Sequence, residues 1–323
     1  MRVLVVKTSS MGDVVHALPA VSDMLRAVPG LQVDWLVEQA FAPIAALHPG
    51  VARVIPLAWR RWRRRLWQAD TRAAIGALRA DLRRERYDLV LDLQGLLKSV
   101  LWGLQARGPL VGFDRASIRE PAAALFYRRR AAVPRNLHAV VRNRALAAAH
   151  LGYSVPATAP DFGIVAGPGP WSPPTPSAAL VPCASRPEKL WHEAHWIAVG
   201  RRLKAAGLTP VVVWGSSEEQ ARAERIAAGC GGAVPPFLTV AGMAAVLGQA
   251  RCVVGLDTGF SHLAAAFGAP TLGIYCDHDP KLAGVTGPGP VASLGGKGQR
   301  PELAEVLAQL ELHLRLLGPM QTA

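Results

Sequence analysis

Residues 1–19, MRVLVVKTSSMGDVVHALP, decide how the chain starts and what kind of sheet it builds. Arg2-Val3-Leu4-Val5-Val6-Lys7 is a short apolar run ending in a charge, the pattern of a buried parallel strand. Thr8 to Asp13 then supplies small residues, hydroxyls and one glycine, and a helix-like apolar pattern follows at once. A strand, a small-residue turn and a helix N-terminus place backbone N–H groups where an anion can be held. The turn is neither a Walker loop, which needs a second glycine and Lys-Ser/Thr, nor a G-x-G-x-x-G loop. Asp13 stands at the helix start, where the helix dipole and free N–H groups favour a carboxylate. It is either a helix cap or a base at the rim of a cleft.

Working outward, strand-like runs recur at 32–37, 53–57 and 88–93, with a weaker one at 110–112. Helical periodicity fills 13–27, 40–47, 70–86, 96–106 and 138–151. Alternating strands and helices predict an α/β domain with a parallel sheet covered on both faces. Periodicity then lapses across 156–176, which is dense in proline and reads as a linker. Strands resume at 178–182, 209–214, 251–256 and 271–276, with helices at 193–206, 217–229, 240–249 and 260–267. The glycine-rich loop Gly295-Gly296-Lys297-Gly298 precedes a closing helix and tail. The expected organisation is a domain at 1–155, the linker at 156–176, a second domain at 177–300, and a helix with its tail at 301–323. Two such domains predict a cleft between them, a usual place for a ligand.

Charge is segregated along the chain. Of 36 Lys and Arg, 24 lie in residues 1–156 against 11 Asp and Glu, so the first half carries the whole formal excess of +13. The second half is neutral, with 12 of each sign. A basic half beside a neutral one implies that the first half faces something anionic, such as nucleic acid, phospholipid or a phosphorylated substrate. The four cysteines, Cys183, Cys230, Cys252 and Cys276, have no C-x-x-C or metal-ligand spacing, which predicts buried reduced thiols. The first apolar run is too short for a signal peptide, and no segment approaches 18 uninterrupted apolar residues.

Three loops of the second half fall at the carboxyl ends of expected strands, where open α/β sheets bind ligands. Cys183 to Trp191 offers a hydroxyl at Ser185 and cations at Arg186 and Lys189. Trp214-Gly215-Ser216-Ser217-Glu218-Glu219 offers a carboxylate for ribose hydroxyls. Asp257-Thr258-Gly259-Phe260-Ser261-His262 opens a helix with free N–H groups and a hydroxyl. Each alone reads equally as surface or core chemistry. Together they resemble a nucleotide-diphosphate site without a metal. Asp277-His278-Asp279 mimics a metal-binding D-x-D, but it runs into Pro280 and reads as a turn.

Four motifs converge on one family. VVKTSSMGDVVHALPA, LDLQGLLKS (91–99), REPAAALFYRRR (119–130) and LDTGFSHLAAAFGAP (256–270) resemble the bacterial lipopolysaccharide heptosyltransferases of glycosyltransferase family 9. The likeness runs in order from Met1 to about Gly298. The K-T-S-S-M-G-D-V-x-H and R-E-P-x-x-x-L-F-Y forms resemble the branch that adds the first heptose to Kdo2–lipid A. The resemblance implies a GT-B fold, two Rossmann-like parallel-sheet domains facing a central cleft. It implies inverting, metal-independent transfer from ADP-heptose, with no cofactor, at the cytoplasmic face of the inner membrane. Asp13 would then be the general base. Ser185 and Lys189 would hold the donor diphosphate, with Lys189 assisting catalysis. Asp257, Thr258, Gly259 and His262 would form the rest of the donor site, with Glu218 or Glu219 at the ribose. Ala184 departs from the family pattern, which carries a hydroxyl there.

For the acceptor, the same likeness implies Ser10, Gly12, Gln94, Lys98 and Arg119. The run Trp59-Arg60-Arg61-Trp62-Arg63-Arg64-Arg65-Leu66-Trp67 adds Arg60, Arg61, Arg63 and Arg64. If helical, it sets an apolar stripe beside a cationic face, suited to an anionic inner-leaflet surface or to lipid A phosphates and Kdo carboxylates. Arg128-Arg129-Arg130 is expected to face membrane or solvent. The alternatives are a family member using a later inner-core acceptor, or a GT-B-like nucleotide-sugar epimerase. Nucleic-acid binding leaves Asp13 and the Asp-Thr-Gly loop without a role.

Overall fold

Val3 to Val6 are fully buried and extended, because a parallel strand covered on both faces needs an unbroken apolar run. They belong to the central strand of a six-stranded sheet in the computed structural model, which describes residues 1–317. The chain divides into two units, the first ending at Gly163 and the second beginning at Ile164. Residues 318–323, the tail expected after the closing helix, lie outside the described residues.

The first unit contains β1 (Arg2–Val6), β2 (Gln32–Glu38), β3 (Val51–Leu57), β4 (Leu89–Asp92), β5 (Leu110–Phe113) and β6 (Arg129–Ala131). All pair in parallel, in the order β3-β2-β1-β4-β5-β6. Its helices are α1 (Met11–Val15), α2 (Leu18–Ala27), α3 (Ala42–Ala46), α4 (Trp59–Trp62), α5 (Ala69–Leu82), α6 (Leu97–Gly103) and α7 (Ala139–Leu151). The helix expected over 13–27 is two helices, because Pro19 has no N–H to continue the ladder and sits instead in the first turn of α2. α2 packs on α7. Between them the buried Arg144 guanidinium meets Asp23 at 2.6 Å and also donates to the Pro156 carbonyl.

The arginine-rich helix of residues 59–67 does not form. Only one turn, α4, is helical, and the expected apolar stripe is split. Trp59 and Trp62 pack against Trp102 of α6, whereas Leu66 and Trp67 are exposed, Trp67 at 91%. Five arginines in the six residues 60–65 repel one another along a short helix, and the two anchored tryptophans hold the segment as irregular chain instead. Arg128, Arg129 and Arg130 are exposed, and Arg129 and Arg130 form the edge strand β6.

The second unit contains β7 (Ser177–Val181), β8 (Thr209–Val212), β9 (Cys252–Leu256), β10 (Thr271–Tyr275) and β11 (Val291–Gly295), parallel in the order β11-β10-β9-β7-β8. Its helices are α8 (Glu193–Ala205), α9 (Ser217–Cys230), α10 (Val240–Gln249), α11 (Gly259–Ala266), α12 (Pro280–Ala283) and α13 (Leu303–Leu316). Trp191, Trp196, Leu180, Val254, Ile274 and Leu310 centre its core. β11 takes Gly295 out of the glycine-rich loop; as a half-exposed edge it carries little apolar signal. The prolines of 156–176 divide between the units. Asp161 pairs with Arg26 and Phe162 is buried in the first, while the cis Thr175–Pro176 bond leads into β7. All four cysteines are free and buried, and burial pushes the Cys183 and Cys252 thiols up to about 12.

Candidate active site

Each sheet has one place where strand order reverses, and there the loops leaving adjacent strands diverge and open a crevice. In the first unit it lies between β1 and β4. Gln94, just past β4, accepts the Thr8 and Ser9 N–H groups on its amide oxygen at 3.0 and 3.1 Å. Lys7 reaches across to donate to the Leu93 carbonyl at 2.8 Å, and Lys98 donates to the Ser9 hydroxyl at 2.7 Å. This ties down the turn that presents α1. There Ser10 gives both its N–H and its hydroxyl to Asp13 Oδ2, at 2.7 and 2.8 Å. Asp13 is therefore a cap. Its other oxygen lies 4.0 Å from Lys7 Nζ, and the side chain remains 40% exposed.

Asp13 lines a cavity of about 140 Å³ with Lys7, Gln94, Arg119, Arg142 and Asn143. Burial lowers the Lys7 pKa, and the facing carboxylates of Asp13 and Asp92 oppose that shift. Asp92 is itself buried, which raises its pKa against hydrogen bonds from Ser99, Tyr127, Gly95 and Gln94. Tyr127 can reach it only because residue 112 is glycine: a Cβ there would come within 2.5 Å of the Tyr127 ring.

A second cavity of about 620 Å³ lies beside the same turn, lined by Thr8, Glu38, Trp59, Arg60, Arg61, Arg63, Arg64, Lys98 and Trp102. Glu38 accepts the Arg60 N–H at 3.0 Å, which sets the start of the arginine segment. Burial raises the Glu38 pKa, and burial together with Arg60 lowers that of Lys98. Five cations around one carboxylate make the lining of this cavity suited to anions.

In the second unit the order reverses between β7 and β9, and Lys189 bridges the two loops. Its Nζ donates to Asp257 Oδ2 at 2.6 Å and to the Asp257 carbonyl at 3.1 Å. His262 Nε2 stands 3.4 Å from Asp257 Oδ1. Burial alone would push the Asp257 carboxyl up, but His262 and Lys189 together hold it down at about 2. Thr258 caps α11 without a side-chain hydrogen bond, and its Oγ1 is buried and unpartnered. An unsatisfied hydroxyl at a helix N-terminus suits a phosphate oxygen. Gly259 opens that helix, and Ser261 closes it onto the Leu256 carbonyl at 2.6 Å.

Lys189, Asp257, Thr258, Gly259 and His262 are thus brought together. Ser185 is exposed on the loop before Lys189. Both glutamates belong to the turn that opens α9: Glu219 accepts the Gly215 N–H at 2.8 Å, and exposed Glu218 accepts the Ser216 hydroxyl at 2.9 Å. In the first unit Asp13, Gln94 and Arg119 share one crevice, with Ser10 bonded to Asp13 and Gly12 in the first turn of α1, while Arg60, Arg61, Arg63, Arg64 and Lys98 share the other. Arg186 pairs with Asp277 at 2.7 Å, and Asp279 caps α12, so that acidic triplet serves turns. Sequence reasoning missed Arg142, Asn143 and Glu38. α7 carries the first two without a local motif, and Glu38 reads as the end of a strand.

The sequence pattern of glycosyltransferase family 9 (heptosyltransferase) matches residues 75–309. A lipopolysaccharide heptosyltransferase 1 of Pseudomonas aeruginosa is 45% identical over 295 residues, which cover 89% of this chain and 82% of the relative. The lipopolysaccharide heptosyltransferase 1 of Escherichia coli K12 is 43% identical over 289 residues, covering 88% of this chain and 90% of the relative. Among solved structures, E. coli heptosyltransferase WaaC with ADP aligns at a TM-score of 0.88 and 39% identity, covering 97% of this chain and all of that one.

Proposed function

Because this chain belongs to glycosyltransferase family 9, the heptosyltransferases, we propose that it moves heptose from ADP-heptose onto the Kdo of Kdo2–lipid A. Lys189, Asp257 and His262, with the orphan Thr258 hydroxyl and the free N–H groups of α11, hold the donor diphosphate. Glu218 or Glu219 meets the ribose. The acceptor's phosphates and carboxylates occupy the cavity of Arg60, Arg61, Arg63, Arg64 and Lys98, and Gln94 and Arg119 flank the reacting sugar.

Asp13 takes the proton from the acceptor hydroxyl, and that oxygen attacks the anomeric carbon from the face opposite the diphosphate. The carbon–oxygen bond to phosphate breaks, ADP leaves with the electron pair, and configuration inverts. Charge gathers on the departing diphosphate, where Lys189 and the helix N–H groups stabilise it. No metal takes part in this scheme. The observation that carries the reading is that each unit has a switch-point crevice of its own, one built around a half-exposed carboxylate and one around a lysine with an unsatisfied hydroxyl. Among the described residues no helix is long and apolar enough to cross a membrane. Work on a lipid-anchored acceptor at the cytoplasmic face of the inner membrane is therefore read as peripheral.

The test is transfer from ADP-heptose to Kdo2–lipid A in a chelator, for the wild type and Asp13→Asn. Transfer should persist without metal and fall by at least about a hundredfold in the variant, with ADP affinity retained. Transfer that survives the substitution would leave Asp13 as a cap alone. A folded wild type that ignores Kdo2–lipid A but glycosylates a heptosylated core would place it at a later step.

A further inference from the structure

α6 has two faces. Ser99, Val100, Trp102 and Gly103 are buried, whereas Leu97, Leu101 and Leu104 follow i, i+4, i+7 spacing and stand 46–48% exposed. The helix packs against the 3₁₀ helix Pro121–Phe126, and the Leu97 N–H donates to the adjoining Glu120 carboxylate at 2.7 Å. That second element turns Leu125 and Phe126 outward, at 68% and 50% exposure. Five large apolar side chains on two touching elements exceed the scattered exposure of an ordinary surface.

The charge around them is mostly positive. Residues 97–131 hold seven Lys and Arg against two Asp and Glu. Arg128, Arg129 and Arg130 follow Phe126 after one buried residue, Tyr127, are exposed, and make no ion pair among the described residues. An apolar stripe flanked by unpaired cations is the pattern of an element lying in a lipid interface. A second copy of the chain would bring the same charge and be repelled.

We propose that the α6 stripe and the Leu125–Phe126 tip dock the first unit on an anionic lipid bilayer. The leucines and Phe126 enter the boundary between headgroups and acyl chains, and Arg128–Arg130 meet lipid phosphates. This rests on the reading of the acceptor as lipid-anchored, and it adds the bilayer itself as a partner, separate from the arginine cavity that takes the acceptor's phosphates and carboxylates.

The full chain would be sedimented, without substrates, with vesicles of phosphatidylethanolamine and phosphatidylglycerol, or of phosphatidylcholine alone. The wild type should bind the anionic vesicles and bind the neutral ones weakly. Leu125→Ser/Phe126→Ser should weaken binding about tenfold or more. Arg128→Gln/Arg129→Gln/Arg130→Gln should do the same at low salt and little at high salt. In both variants, transfer to a delipidated, soluble Kdo acceptor should match the wild type, which also shows that they fold. Wild type that leaves anionic vesicles unbound, variants that bind as well as wild type, or a surface that captures an acidic protein but no vesicle would each overturn the proposal. A wild type that binds vesicles yet transfers nothing to the soluble acceptor would sink the reading of Kdo as the acceptor and leave the docking surface standing.

Discussion

Lys189→Met removes one of the two groups that keep Asp257 ionised, and its cost follows from the geometry. Asp257 is nearly buried, its side chain 9% exposed, and its carboxyl is held at about 2 against an ordinary 3.8. That depression corresponds to about 2.4 kcal/mol of stability. The folded value lies below the unfolded one, so the contribution is complete above pH 3.8 and is lost as the pH falls through about 2. Without Lys189, burial of the carboxylate is opposed by His262 alone. Lys189→Met should therefore destabilise the second unit by about 3 kcal/mol at neutral pH. In a unit of this size that lowers its melting midpoint by about 6–12 °C. Asp257→Asn removes the charge that Lys189 serves, so the double variant should be more stable than the sum of the two losses by about 2 kcal/mol. Urea unfolding at pH 7.5, followed by tryptophan fluorescence, reads this directly, because Trp191 and Trp196 lie in the core of the same unit. Additive losses, or a Lys189→Met chain as stable as wild type, would refute the argument that this pair holds the two loops together.

Thr258→Val replaces an unsatisfied buried hydroxyl with a methyl of equal size, so the melting midpoint should hold or rise. ADP affinity measured by calorimetry should meanwhile fall about tenfold. Gly112→Ala drives a methyl into the Tyr127 ring and should cost about 1–3 kcal/mol in chemical denaturation. Arg144→Met leaves the Asp23 carboxylate buried without its partner, and a loss of about 3–5 kcal/mol in the first unit is expected by the same measurement.

The sheets were legible because their strands are buried on both faces. Val3–Val6, Leu89–Asp92 and Cys252–Leu256 are runs with no exposed residue, and nothing in the sequence competes with that signal. Edges read poorly: β6 is Arg-Arg-Ala and β11 is half-exposed, so pairing with a neighbour, not composition, makes them strands. The arginine segment misled for a related reason. Spacing alone describes a helix over 59–67, but spacing does not see Trp102, which captures Trp59 and Trp62. At the crevices, the residues that short motifs after strands made legible are Asp13, Lys189, Asp257, Thr258 and His262. Arg142 and Asn143 were not, because α7 brings them to the Asp13 crevice from some 130 positions away.

The two lysines that bridge the switch points act in parallel. Lys7 ties the loop after the first strand of its sheet to the chain just past β4, and Lys189 does the same between β7 and β9. In each unit the chain's own side chains stitch the walls of the crevice together. A substrate entering either crevice meets a surface whose ordering entropy was lost during folding, so little of its own binding energy goes into arranging loops. In the proposed reaction, what remains can be directed at the moment when charge moves from the acceptor oxygen to the departing diphosphate.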